Sequence, residues 1–87
     1  MPTVIAYHDV SDTDHWLASG KRDEFLAPLG VTGIRTFVDP QNPKRVGLLM
    51  DIPDMDAVMA ALQTENGAET MRADGVDAET LVILVEA

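Results

Sequence analysis

Apolar residues along the chain follow two alternating patterns, a strand-like one and a helix-like one. Thr3–Val10 is β-rich and free of glycine, and reads as a strand. Ser11-Asp12-Thr13-Asp14 then fits a helix-capping signal, a hydroxyl or carboxylate followed a turn later by an acid. A helix carrying Trp16 and Leu17 is predicted there. Ser19-Gly20 interrupts it, and a second helical stretch over residues 21–29 places Phe25, Leu26 and Leu29 on one face. Gly30 suits the left-handed position just after a helix. Residues 31–39 read as the second strand and residues 39–44 as a turn with two prolines. Residues 45–52 read as a third strand, joined to the second as a hairpin. Pro53-Asp54 opens a helix whose Met55, Val58, Met59 and Leu62 form an i, i+3, i+4, i+7 stripe. Ala68 and Met71 prolong that face past a weak Gly67. Gly75 stops the helix, and residues 80–86 form the last strand.

The predicted order is β-α-β-β-α-β, the ferredoxin-like α+β arrangement of a four-stranded antiparallel sheet with helices on one face. Residues 1–87 are expected to form one such domain. Its two halves resemble each other where strand passes into helix. The segment from His8 to Ser19 aligns on that from Met50 to Ala61, with Asp9/Asp51, Asp12/Asp54, Asp14/Asp56 and Ala18/Ala60 identical. Shared residues belong to the junction: Asp12 and Asp54 as helix caps, Asp14 and Asp56 in the positive first turn. Residues present in one half only are free to serve a site. They are His8, His15 and Trp16, opposite Met50, Ala57 and Val58.

Three readings of those residues compete. In the first they are structural, with His8 in a core or interface, Trp16 packed and His15 exposed. In the second they line a pocket, with Trp16 and methionines as the apolar wall and His8, with Tyr7 or Asp9, as the polar handle. His8 is then the candidate catalytic residue, and His8, Trp16 and Tyr7 the candidate ligand-binding set. In the third, His8, His15 and Asp12 hold a metal, without a familiar ligand spacing.

Composition narrows the choice. The 87 residues include no cysteine, which excludes disulfides and thiolate chemistry. A formal charge of −9 repels phosphate backbones, so neither nucleic acid nor an anionic membrane is an expected partner. The N-terminus shows no targeting pattern, and a cytoplasmic protein is expected. The glycines show no phosphate-loop spacing and the serines no triad, so no cofactor is expected.

The strands are apolar on both sides. The last has Leu81, Ile83 and Val85 on one face and Val82 and Leu84 on the other; the first has Val4, Ala6, His8 and Val10 against Thr3, Ile5, Tyr7 and Asp9. Helices cover one face only, so the second calls for a partner sheet, here a homodimer closed face to face. In this pattern the chain resembles the dimeric α+β-barrel superfamily, which includes antibiotic-biosynthesis monooxygenase-like proteins. The resemblance implies a pocket between sheet and helices or within the barrel. It also implies binding of a small apolar or aromatic ligand, or cofactor-independent monooxygenase-like chemistry. A non-enzymatic interaction subunit is the alternative. Met1-Pro2 also resembles the tautomerase start, in which Pro2 would act as a base once Met1 is removed.

Overall fold

A computed structural model describes residues 2–87. Strand β1 (Thr3–Val10) leads into helix α1 (Thr13–Ala18), whose first turn is closed by the Asp12 carboxylate accepting from the His15 N–H at 3.2 Å. Helix α2 (Lys21–Leu26) runs on into a short 3-10 turn ending at Gly30, whose positive φ of 79° turns the chain back. Strands β2 (Thr32–Asp39) and β3 (Asn42–Asp51) follow, then α3 (Met55–Leu62), α4 (Glu65–Ala73) and β4 (Val76–Val85). Asp54 caps α3 as Asp12 caps α1, accepting from the Ala57 N–H at 3.1 Å. The four strands form one sheet in the order β2-β3-β1-β4, each pairing antiparallel. This is the expected ferredoxin-like arrangement.

Three boundaries differ from the sequence reading. The hairpin turn is tighter than expected, because Asp39 pairs directly with Asn42. The Asp39 and Asn42 side chains accept from the Gln41 and Lys44 N–H groups at 2.8 and 3.2 Å, replacing ladder bonds that the prolines cannot make. The helix expected after Pro53-Asp54 divides at Thr64, which caps α4 by accepting from the Gly67 N–H at 3.1 Å. Gly67 allows a close crossing there: a Cβ on it would lie 2.5 Å from the Ala61 carbonyl oxygen. Finally, β4 begins at Val76, which pairs with Val10, and its register against β1 shifts between Tyr7 and Asp9. The extra residues form a bulge in which the Thr80 hydroxyl accepts from the Asp9 N–H at 2.8 Å.

Alternation along the strands gives the sheet two distinct faces. The inner face buries Val4, Ala6, Val10, Val46, Leu48 and Met50 beneath Trp16, Leu26 and Val58 of the helices. The outer face carries Ile5, Tyr7, Phe37, Val82 and Leu84, all exposed. Register aligns Arg35, Leu49, Ile5 and Leu84 in one row, and Phe37, Gly47, Tyr7 and Val82 in the next. Polar rows bound this band, Thr3 bonded to Asp51 at 2.9 Å at one end and Asp9 with Arg45 at 3.9 Å at the other. Among the described residues, no helix is long and apolar enough to cross a membrane.

Candidate functional site

The inner face and the helices do not close completely on each other. A cavity of about 90 Å³ lies between them, walled by apolar side chains that include Trp16, Met50, Met55 and Met71. Four polar side chains reach its wall: His8, Arg22, Thr70 and Asp74.

His8 is placed by alternation in β1, which turns it inward with Val4, Ala6 and Val10. It is 5% exposed. Its Nδ1 lies 3.3 Å from the Asp9 carbonyl oxygen. A carbonyl only accepts, so Nδ1 carries the proton and Nε2 is a bare lone pair. Among the described residues no hydrogen bond reaches Nε2. Burial lowers the His8 pKa below its ordinary 6.5. The bond to Asp9 opposes that shift, the Arg22 charge adds to it, and the Asp9 and Asp74 carboxylates oppose it. The ring is therefore neutral at pH 7 and available as a hydrogen-bond acceptor or base.

Trp16, 1% exposed, fixes the other side of His8, with ring centroids 5.8 Å apart in an edge arrangement. Arg22 stacks its guanidinium carbon 4.5 Å from the Trp16 ring centroid and donates from Nη1 to the Trp16 carbonyl at 3.3 Å. Asp74, at the end of α4, is 3% exposed and accepts from the Ser19 hydroxyl.

Of the residues singled out from the sequence, the structure brings His8 and Trp16 together but leaves Tyr7 apart. Tyr7 lies on the outer face, in a shallow hollow with Ile5 and Phe37. His15 and Asp12 do not join His8 either. The exposed His15 ring donates from Nε2 to the Ala73 carbonyl at 2.8 Å, and Asp12 is engaged as the α1 cap. Among the described residues no three His, Asp or Glu side chains are grouped to hold a metal ion. The Pro2 carbonyl accepts from the Ile52 N–H at 3.0 Å, and Pro2 does not line the cavity; Met1 lies outside the described residues. The hydrogen-bond partner of His8 is the neighbouring residue, through the Asp9 backbone and not its side chain.

Sequence reasoning missed Arg22 and Asp74. Arg22 did carry a signal: it sits at i−3 and i−4 from Phe25 and Leu26, a charge on an apolar helix face. Asp74 carries none, since an acid beside a helix-stopping glycine is ordinary.

No family model matches the chain, and no curated protein matches it. Solved structures do. The presumed antibiotic biosynthesis monooxygenase from Bordetella bronchiseptica superposes with a TM-score of 0.72 at 21% identity, covering 99% of this chain and 94% of that one. That from Caulobacter crescentus gives 0.67 at 14% identity over 98% and 86%. That from Nitrosomonas europaea gives 0.65 at 15% identity over 100% and 97%. At these identities the likeness is one of architecture: the chain has the ferredoxin-like α+β fold of the antibiotic biosynthesis monooxygenase structures.

Proposed function

We propose that residues 1–87 act as one domain that pairs through its outer sheet face and binds a small apolar or aromatic ligand in the cavity beneath its helices. The observation that carries the ligand reading is His8. An imidazole lone pair without a hydrogen-bond partner among the described residues, in the wall of a mostly apolar cavity beside a fully buried tryptophan, is a polar handle of the kind a ligand uses for orientation. The repeat aligns Met50, in strand β3, with His8, so the fold itself accepts an apolar side chain at this position. A ligand hydroxyl donating to Nε2 satisfies the lone pair. Where that hydroxyl is a phenol, the same lone pair takes its proton, the step an oxygenase needs before the electron-rich phenolate meets dioxygen.

The cavity sets a size limit. An apolar cavity of about 150 Å³ admits benzene, and this one measures about 90 Å³. A single ring enters only if the wall yields, and the unbranched Met50, Met55 and Met71 side chains are the ones able to move. The outer face supports the homodimer: Ile5, Tyr7, Phe37, Val82 and Leu84 form an apolar band that no element among the described residues covers.

Calorimetric titration with phenol, and with toluene as the control lacking a hydroxyl, tests the ligand reading. Phenol should bind the protein and lose its advantage over toluene in His8→Met. Equal binding of phenol by both proteins would remove His8 from the site.

A further inference from the structure

A ring enters the His8 cavity only by displacing part of its wall, since about 90 Å³ falls short of the ~150 Å³ that admits benzene. The sheet side is fixed: Val4, Ala6, Leu48 and Met50 are buried in the paired strands β1 and β3. The helices above differ in how firmly they are held. α1 has the Asp12 cap, a bond from the Thr13 hydroxyl to the Pro43 carbonyl and the His15 bond to the Ala73 carbonyl. α3 and α4 are capped by Asp54 and Thr64, and α4 ends at Asp74, which accepts from Ser19. α2 is six residues long and no side chain caps its first turn, which leaves a short helix dependent on its packing. That packing is incomplete, because Phe25 and Leu26 line the cavity and meet empty space over part of their surface. The chain enters α2 at Gly20, where a Cβ would meet nothing within 4 Å, and turns away at Gly30. Among the described residues one α2 side chain hydrogen-bonds outside its helix. It is Arg22, which donates to the Trp16 carbonyl at 3.3 Å and stacks 4.5 Å from the Trp16 ring centroid.

We propose that α2 is the door of the His8 cavity and Arg22 its latch, an inference that rests on the ligand-binding reading of that cavity and adds the route into it. Opening lifts Phe25 and Leu26 off the cavity and breaks both contacts between Arg22 and Trp16. Trp16 is 1% exposed and belongs to the well-anchored α1, so the latch ties the loosest part of the wall to one of the firmest. Opening also brings water to the Arg22 Nε, which is buried without a hydrogen-bond partner among the described residues. Hydrating that atom offsets part of the cost of breaking the latch. The latch must break for entry and for exit alike. It therefore sets both rates by the same factor and leaves the affinity unchanged.

Two measurements test this, the first without ligand. In amide hydrogen exchange, Glu24, Phe25 and Leu26 should exchange faster than Val58 of α3 and Ala68 of α4. Arg22→Met should speed the α2 amides alone, by on the order of tenfold for one stacking contact and one hydrogen bond lost. The second is a phenol titration read from the line shape of the Trp16 indole N–H, the resonance of the one tryptophan in the chain. In Arg22→Met the association and dissociation rates should rise together by a similar factor, with Kd unchanged. If Arg22→Met does not fold, Arg22→Lys, which keeps a charged stem but not the planar fork, should move both rates the same way by less. Phenol binding with unaltered rates in the Arg22 variants would overturn the latch and leave ligand binding standing. Faster dissociation alone would do the same, by making Arg22 a contact of the ligand. Exchange of the α2 amides as slow as that of α3 and α4 would overturn the door itself. A Trp16 resonance unmoved by phenol in wild type would overturn the ligand reading and the door with it.

Discussion

Replacing His8 by methionine separates a histidine kept for its lone pair from one kept for packing. The change removes the Nδ1–H bond to the Asp9 carbonyl, long at 3.3 Å and worth about 0.5–1.5 kcal/mol. It also removes the edge contact with Trp16 at 5.8 Å, worth about 0.5–1.5 kcal/mol. Against these stand the relieved desolvation of a mostly buried polar ring, about 1–3 kcal/mol, and a thioether contact with the Trp16 ring, about 0.3–1.5 kcal/mol. The two sides cancel to within about 1 kcal/mol, or a Tm change of no more than about 8 °C for a domain this small. Thermal melts by circular dichroism at pH 7 measure this directly. The same pair of melts carries a pH signature. Folding lowers the His8 pKa below 6.5, so below that pH the unfolded chain binds the extra proton and the wild type loses stability as pH falls. Burial sets the shift; of the charges that face His8, Arg22 adds to it and Asp9 and Asp74 oppose it. His8→Met lacks this loss, so its Tm relative to wild type should rise on going from pH 7 to pH 5.5. A fall of about 15 °C or more at pH 7 would show that His8 anchors a structural network, and an unchanged difference between the two pH values would show that folding leaves its pKa where it was.

Other consequences can be measured on the same material. Trp16→Ala opens the wall between His8 and Arg22 and should cost about 3–5 kcal/mol, read as a loss of most of the cooperative melt, whereas Trp16→Phe should retain it. Gly67→Ala places a methyl 2.5 Å from the Ala61 carbonyl and should lower Tm by several degrees; an unchanged melt would mean that the α3–α4 crossing is looser than described. Ile5→Lys puts a charge at the centre of the outer face, where Ile5 is 46% exposed. Light scattering should then shift from twice the 9.4 kDa chain mass to a single chain, with phenol binding retained.

What the sequence revealed and what it hid follow from the range of the forces involved. The strand-to-helix junctions were legible because Asp12 and Asp54 act within one turn of themselves, and each caps the helix its position announces. The two-sided strands were legible because alternation needs no tertiary knowledge. The β4 bulge was not, since the Thr80 hydroxyl that replaces a ladder bond serves Asp9 on another strand. Thr80 therefore read as the start of a strand whose pairing begins at Val76. The site divides the same way. His8 and Trp16 stood out because their repeat partners lack polar or aromatic character. Tyr7 was placed beside His8 by adjacency in sequence, yet neighbours in a strand point to opposite faces. Asp74 reaches the cavity only through the packing of α4, which nothing local encodes.

The most direct test of the account is the protonation state of His8 itself. The chain has two histidines, so the nitrogen resonances of one wild-type sample, compared with His8→Met, identify all four ring nitrogens. At pH 7 His8 should show a protonated Nδ1 and a bare Nε2, and phenol should move the Nε2 resonance in the direction of hydrogen bonding while leaving His15 unchanged. An imidazolium at pH 7, a proton on Nε2 in the free protein, or an Nε2 resonance unmoved at saturating phenol would contradict it.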